Sequence, residues 1–463
     1  MARLLAAIFC LSAALLLYEL TLTRVFAVVL FSDLAHLALS VAMLGMGVGA
    51  LVQHLWPVLH ADSLRTGVFR LTVAQGLATV LAIGCAVSFP LVHDGQGLSL
   101  AWQPRAAQRF SLLNWGWFAL LVPILSIPPL FAGISVAGVF EHRSKRLGVL
   151  YGADLIGAGL AVAVFIPAIA ALQGPDTVWF IVLLCMTAAL SVAPSTGARL
   201  VSGGGVLMCL ALLGVTLGGE AVMTIRTPAA WSTVQVLETR WTGLTRITVF
   251  DEGSHETVLL DNATLSNVVV DPVQLAPMLA MPNRGLVYQL GVPRGVVAIL
   301  ASSAGPDVVT ARHFGYENID AIDVEGQIFE LVAERYDSPL NPYRAPGVRQ
   351  IVSDARSALM RAEPERYHII QLVNANLFGA NGLLANAWSP SLLTTKEAFH
   401  LYLDRLAPDG VLSLTNLAQT RWAPRNAAAA LRERGVEEPY RHIAFIGGSN
   451  QVFLLRPRPW TAR

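Results

Sequence analysis

Apolar residues fill the first 218 positions in long runs, whereas the remainder alternates in short stretches separated by glycine and charged turns. A bilayer core needs about 20 apolar residues per helix, because every backbone polar group must be satisfied within the segment. Seven runs meet that need, at 4–30, 34–56, 68–92, 112–140, 147–172, 176–194 and 200–218. The first is too long for a cleaved signal peptide and is followed by further runs rather than by a polar domain. The pattern predicts a multi-pass α-helical membrane bundle over residues 1–218.

From Trp231 onward the texture is that of strands. "STVQVLET", "LTRITVFD" and "ETVLLDN" predict a small β-rich connector over residues 219–285. "GVVAIL" then predicts a buried strand, and "NIDAIDV", "VRQIV", "YHIIQLV" and "GVLSLTN" four more strands, with helical material between them. Strands alternating with helices imply a parallel, doubly wound α/β sheet of Rossmann type over residues 286–463, with ligands bound at the carboxyl ends of the strands.

Charge sharpens this division. Residues 1–218 carry 17 charged side chains and residues 219–463 carry 46, within a chain that is 14% charged and 54% hydrophobic. All four cysteines (Cys10, Cys85, Cys185, Cys209) lie in the apolar half, which excludes a disulfide scaffold for the polar half. A net charge of +1 argues against a nucleic-acid partner, and the scattered histidines suggest no metal site. Lys145 and Lys396 are the only lysines among 32 basic residues, a bias expected of a GC-rich bacterial genome and hence of a bacterial inner membrane. Seven basic residues (Arg3, Arg65, Arg70, Arg143, Lys145, Arg146, Arg199) fall on one side of the predicted bundle, and Arg24, Arg105 and Arg109 on the other. Basic loops stay in the cytoplasm, so the start of the chain is expected inside. Seven passes then bring the polar half out on the far side, whereas a cytosolic cofactor would require an even number; both alternatives stand at this stage.

Three charged residues interrupt the apolar runs: Glu19 and Arg24 in "YELTLTR", and Asp154 in "YGADLIGAGL". A charge inside a span costs about 2.5–3.5 kcal/mol on insertion scales and normally faces protein or a cavity. Glu19 and Arg24 are five apart, about 140° around a helix, so each must look to a neighbouring segment. Asp154 is an available partner for Arg24. An interior polar cluster, an ion or substrate site and snorkelling to the interface are the alternatives. Gly45 and Gly49 in "GMGVG" form a GxxxG pattern suited to close helix packing.

In the polar half, the turn after the first buried strand reads "ASSAG". A Gly-x-Gly-x-Gly ligand turn would fall on Ala301, Ser303 and Gly305, so only the last glycine is present. Asp323 ends the second strand, 18 residues beyond Gly305, where an acid would bind a ribose diol. Asp354 follows the third strand, as a second ligand group or as the N-cap of "ARSALMRA". Asn374 and Asn376 follow the fourth, as hydrogen-bonding groups or turn formers.

Taken together, "LLLYELTLTRVFAVVL", "RLGVLYGADLIGAGLAVAVFIPAIAAL", "AILASSAGPDVVTARHFGYENIDAIDVEGQI", "VRQIVSDARSAL", "ERYHIIQL" and "SPSLLTTKEAFHLYLDRLAPDGVLSLTN" resemble the membrane-fused spermidine synthase-like proteins. In these a transmembrane bundle precedes a domain similar to polyamine aminopropyltransferases and class I S-adenosylmethionine-dependent methyltransferases. The resemblance implies S-adenosylmethionine or its decarboxylated form as ligand, with Asp323 at the ribose and Asp354 with Ala355 at the adenine. The family's catalytic Asp-x-x-Asp pair falls on Val373 and Asn376, so only Asn376 remains there as a polar candidate. The positions that would line a diamine pocket fall on Leu265, Leu275 and Ala276. Two functions follow: a membrane-anchored transferase acting on a small molecule, or a transport or sensory protein carrying a degenerate Rossmann-like module.

Overall fold

The computed structural model describes residues 1–29, 35–88, 112–225, 235–251, 253, 255–261, 264–280, 282–373, 392–415, 423–447 and 451–460. The chain divides into two compact units: residues 1–233 with 239–247, and residues 234–238 with 248–463. The strand-rich stretch predicted as a separate connector is thus shared between the two.

The first unit contains seven helices among the described residues: α1 (Ala2–Val29), α2 (Leu37–Leu55), α3 (Leu64–Val87), α4 (Leu112–His142), α5 (Leu147–Ala171), α6 (Thr177–Val192) and α7 (Thr196–Leu217). All but α6 supply stretches long and apolar enough to cross a membrane. At 16 residues, α6 is about 24 Å long. Each of the seven predicted runs coincides with one helix. The glycine pattern of α2 does what its spacing suggests: a Cβ on Gly45 would collide with the Ser126 carbonyl oxygen, one on Gly49 with that of Leu130, and one on Gly133 with that of Met46. The α2 and α4 backbones therefore touch, as small residues at an interface allow.

Two sheets lie in the strand-rich part. The smaller runs β1 (Gln235–Trp241), β2 (Arg246–Asp251), β3 (Glu256–Leu260), β4 (Thr264–Asn267), in that order. The larger has seven strands in the order β10-β11-β9-β8-β5-β6-β7, formed by β5 (Val296–Leu300), β6 (Ile319–Asp323), β7 (Val348–Val352), β8 (Tyr367–Val373), β9 (Leu406–Thr415), β10 (Ile443–Ile446) and β11 (Val452–Leu455). The strands from β5 to β9 pair in parallel, and β11 runs antiparallel to both β9 and β10. Counted along the chain, the first five strands follow the doubly wound order 3-2-1-4-5, with the order reversing between β5 and β8. The five predicted strands are all present; β10 and β11 are additional, as is β4.

Helices follow β5 to β9 in alternation: α9 (Pro306–His313), α10 (Gly326–Arg335), α11 (Ala355–Arg361), α12 (Lys396–Arg405) and α13 (Ala423–Glu433), with α8 (Pro272–Leu279) ahead of the sheet. Their starts are written in the sequence. Asp271, Glu325, Asp354 and Thr395 each accept a backbone N–H of the following first turn. On one face of the sheet Leu300, Ile322, Ile370, Leu372, Leu412 and Leu414 pack against Phe399, Tyr402 and Phe453. That core fixes the strand ends on which the candidate site stands.

Candidate ligand edge of the sheet

Between β5 and α9 the backbone enters the left-handed region three times, at Ala301 (φ +54°), Ser303 (φ +48°) and Gly305 (φ +84°). Only glycine adopts such angles without steric cost. The turn therefore takes, at two small residues and one glycine, conformations that glycine would adopt without cost. The glycine is also required for space, since a Cβ at 305 would run into the ring of Pro342 and approach Tyr343.

The turn's own amides are held by protein groups. Ser302 N–H donates to the Ile322 carbonyl (3.1 Å) and Gly305 N–H to that of Ser302 (2.9 Å). Ser303 N–H donates to Asp323 Oδ2 (2.9 Å) and Ala304 N–H to Ser266 Oγ (3.2 Å). From beneath, the Tyr343 hydroxyl bonds to Ser302 Oγ (2.6 Å) and to the Ser303 carbonyl. Tyr343 is in turn fixed by Asn341, whose side chain accepts Tyr343 N–H and donates to the Val332 and Tyr336 carbonyls. Ser303 Oγ is buried and has no hydrogen-bond partner among the described residues.

Asp323 closes β6 beside this turn. Its Oδ1 accepts Glu325 N–H (3.0 Å) and its Oδ2 that of Ser303. Burial pushes its carboxyl above the usual aspartate range, against the lowering effect of backbone N–H bonds from Glu325, Ser303 and Val324. A carboxylate has about four acceptor sites, so beside those three N–H bonds this one can still take a ligand hydroxyl. Asp354 sits two residues beyond β7 and caps α11 through Ser357 N–H (3.0 Å), the capping alternative of the sequence reading, while Asp354 itself is exposed and Ala355 partly so. Val373, at the end of β8, is buried and pairs in register with Thr415. An apolar side chain therefore stands at the first position of the expected acid pair. Asn374 and Asn376 lie outside the described residues. Of the positions that would line a diamine pocket, Leu275 packs with Val269, Met278 and Val309, Ala276 is exposed, and the Leu265 side chain is outside the description.

The charged trio of the helical unit does not form one cluster. Asp154 accepts the Ser12 hydroxyl of α1. Arg24 is twelve residues further along that helix, about 18 Å at the rise of an α-helix, so Asp154 is not its partner. Glu19 lies between the two levels and is partly buried. The expectation of an Arg24–Asp154 pair is corrected on geometric grounds: both residues were placed in apolar runs, but their heights in the bundle could not be read without the pairing of α1 with α5.

Sequence reasoning missed Ser266, Asn341, Pro342 and Tyr343, which support the turn from segments far away in the chain. "LNPYRAP" signals a turn by its Asn-Pro step, but nothing local says that it underlies residues 302–305. Among the described residues no group of three or more His, Cys, Asp or Glu is arranged to hold a metal ion.

No family model matches the sequence, and no curated protein matches it. Among solved structures the chain is similar to a spermidine synthase from Thermotoga maritima, at 13% identity and a TM-score of 0.35 over 49% of this chain and 74% of that one. It is similar also to a probable spermidine synthase from Corynebacterium glutamicum, at 16% identity and a TM-score of 0.35 over 49% and 81%. A putative S-adenosyl-L-methionine-dependent methyltransferase from Methanococcus maripaludis follows at 10% identity and a TM-score of 0.27, over 41% and 89%. At such values the functional reading has to come from this chain's own residues.

Proposed function

We propose that this protein is a multi-pass membrane protein whose sheet unit binds an adenosyl ligand at the carboxyl edge of β5, β6 and β7, in a transferase-like fold that has lost aminopropyl transfer. One observation carries the ligand reading: Asp323, at the edge next to the reversal of strand order, faces a turn held in three left-handed conformations. Backbone strain at non-glycine residues persists where surrounding structure enforces it, and it concentrates at ligand sites. Asp323 would take a ribose hydroxyl; Asp354, beside it on the edge, and Ala355 would border the adenine. Because the amides of residues 302–305 are already bonded within the protein, a ligand carboxylate finds no backbone donor among them and only the Ser303 hydroxyl beside them. This favours decarboxylated S-adenosylmethionine or a thioadenosine over S-adenosylmethionine itself.

Membrane insertion is supported by the outward faces of the helices. The most apolar stretch of α7 is only 17% buried and that of α5 22%. Leu155, Ile156, Leu160, Leu200 and Leu207 are exposed, a pattern that in water would be an extensive apolar patch and in lipid is ordinary surface.

A second reading, a sensory or transport protein that binds the ligand without turning it over, is favoured by Val373. Deprotonating an amine needs a base within hydrogen-bond reach, and valine supplies none. The test is calorimetric titration of the detergent-solubilised chain with S-adenosylmethionine, its decarboxylated form and methylthioadenosine. At least one carboxylate-free compound should bind, and Asp323→Ala should weaken it by about 1.5–3 kcal/mol, the worth of a hydrogen-bonded pair to a charged group. Equal affinity in wild type and Asp323→Ala would remove Asp323 from the site.

A further inference from the structure

We infer that the helical unit makes seven passes, with α6 as a full crossing, and that the chain leaves it on the non-cytoplasmic side, so that the sheet unit and its ligand edge are exported. This rests on the membrane reading above. Contacts at the two ends of the bundle carry it. At one end, Ser191 near the end of α6 donates its hydroxyl to the Arg3 carbonyl at the start of α1 (3.2 Å). Arg65 at the start of α3 reaches the Ala193 carbonyl between α6 and α7 (3.2 Å). Gln53 near the end of α2 donates to Glu141 near the end of α4 (3.2 Å). Leu4, Leu64, Val139, Leu150 and Val192 share one apolar cluster there.

The opposite end is closed by Asp176, fully buried just before α6. It accepts the Val222 and Met223 N–H groups (2.7 and 2.8 Å), which follow α7, together with Trp179 Nε1 (3.1 Å) of α6. Val29, Val87, Leu121, Ile169, Val178 and Ile225 belong to the cluster at that end. Every helix from α1 to α6 thus has its two ends in different clusters. The start of α7 adjoins Ala193, and its exit is fastened to Asp176, so α7 also runs from one end to the other. Although short, α6 joins the two clusters and counts as a crossing, which makes the number odd.

Charge then assigns the sides. The first end carries Arg3, Arg65, Arg70, Arg143, Lys145, Arg146 and Arg199; before residue 218 the sequence has only Arg24, Arg105 and Arg109 besides. The cytoplasmic leaflet retains the basic end, and the exit at residues 218–225 faces away from it.

The experiment is cysteine labelling of the full chain in spheroplasts with a membrane-impermeant maleimide, before and after permeabilisation. Ser144→Cys reports the basic end and Glu437→Cys the sheet unit, both at exposed positions. The parent chain supplies the background from its own four cysteines, all in α1, α3, α6 and α7. His60→Cys and Glu363→Cys, also exposed, form a second pair should either variant fold poorly. Glu437→Cys should label fully before permeabilisation, and Ser144→Cys only afterwards. Labelling of both on the same side would overturn the odd number of passes, and the reverse pattern would overturn the orientation. Release of the chain by alkaline carbonate would overturn the membrane reading and this inference with it, whereas calorimetry on the purified chain reads the ligand edge independently.

Discussion

If the left-handed residues of the β5–α9 turn are strained, replacing them with glycine should stabilise the protein, contrary to what glycine does elsewhere. An L-residue in the left-handed region loses roughly 1–2 kcal/mol to contact between Cβ and the carbonyl. Glycine removes that cost but adds about 0.4–1 kcal/mol of unfolded-state entropy. The balance at Ala301 is a gain of about 0–1.6 kcal/mol, and Ser303→Gly should gain more, because it also deletes a buried hydroxyl with no partner among the described residues, a defect worth about 1–3 kcal/mol. Neither change disturbs the Ser303 N–H bond to Asp323, which is made by backbone. The melting temperature of the sheet unit should rise by about 2–4 °C per kcal/mol for a domain of 150–250 residues. The control is Gly305→Ala, where the same strain adds to a collision with Pro342, an overpacking cost of about 1–3 kcal/mol; it should lower the melting temperature. Scanning calorimetry of the solubilised chain reads all three. A fall in melting temperature for both Ala301→Gly and Ser303→Gly would show that the turn carries no such strain, and the argument for a preserved ligand loop would lose its backbone evidence.

Three further outcomes are expected. Glu256 accepts Arg335 Nε (2.7 Å) and the Tyr336 hydroxyl (2.5 Å); burial alone would raise its carboxyl, but those bonds and the Arg335 charge hold it below the usual glutamate range, so its stabilisation is complete above the unfolded pKa of about 4.3 and lost as pH falls through the folded value. Glu256→Gln should therefore flatten the acid limb of a melting-temperature profile below about pH 5, and an unchanged limb would assign acid lability elsewhere. Purified protein should not convert putrescine to spermidine at the rate of a soluble aminopropyltransferase, and Val373→Asp with Asn376→Asp should raise any residual rate; ordinary turnover by the wild type would refute the reading of the lost acid pair. Gly49→Leu should cost at least about 1–3 kcal/mol by forcing α2 off α4, measurable as a lower midpoint of thermal aggregation in detergent, whereas Gly47→Leu, with nothing within 4 Å of its Cβ, should leave that midpoint unchanged.

What was legible in the chain was whatever its local chemistry determines. Apolar runs located the seven helices of the first unit, and short apolar stretches such as "VVAIL" located the central parallel strands, which are buried on both faces, whereas β7 ("VRQIV") is only partly buried or exposed along its length. β10 and β11 escaped notice because "IAFI" and "VFLL" are four residues each, short enough to read as any apolar stretch. The position of Asp323 beside the turn follows from its distance along the chain, a spacing set by the length of one helix and one strand. Tyr343 and Ser266 could not be found that way, since they meet residues 302–304 only after the chain has folded back. Asp154 failed for the same reason in reverse: burial of a charge announces that a partner exists, but helix registration alone decides that the partner is Ser12.

The inferred odd number of passes bears on the two readings of the sheet edge. A transferase consumes one donor molecule per turnover, so on the non-cytoplasmic side it would need a continuous supply of a charged sulfonium across the bilayer. A binding module needs its ligand only at equilibrium, at whatever concentration that face of the membrane offers. On the proposed reading, Val373 stands where only turnover would require a base, while the strained turn and the Asp323 carboxyl are groups that recognition alone would require. Burial has also raised that carboxyl, so a ligand read through its ionised form should begin to lose affinity on acidification at a pH above the ordinary aspartate range, near 3.9. On the proposed reading the features at this edge are those of holding a ligand, and the feature that is missing belongs to consuming one; the inferred export of the domain is the setting in which that combination is coherent.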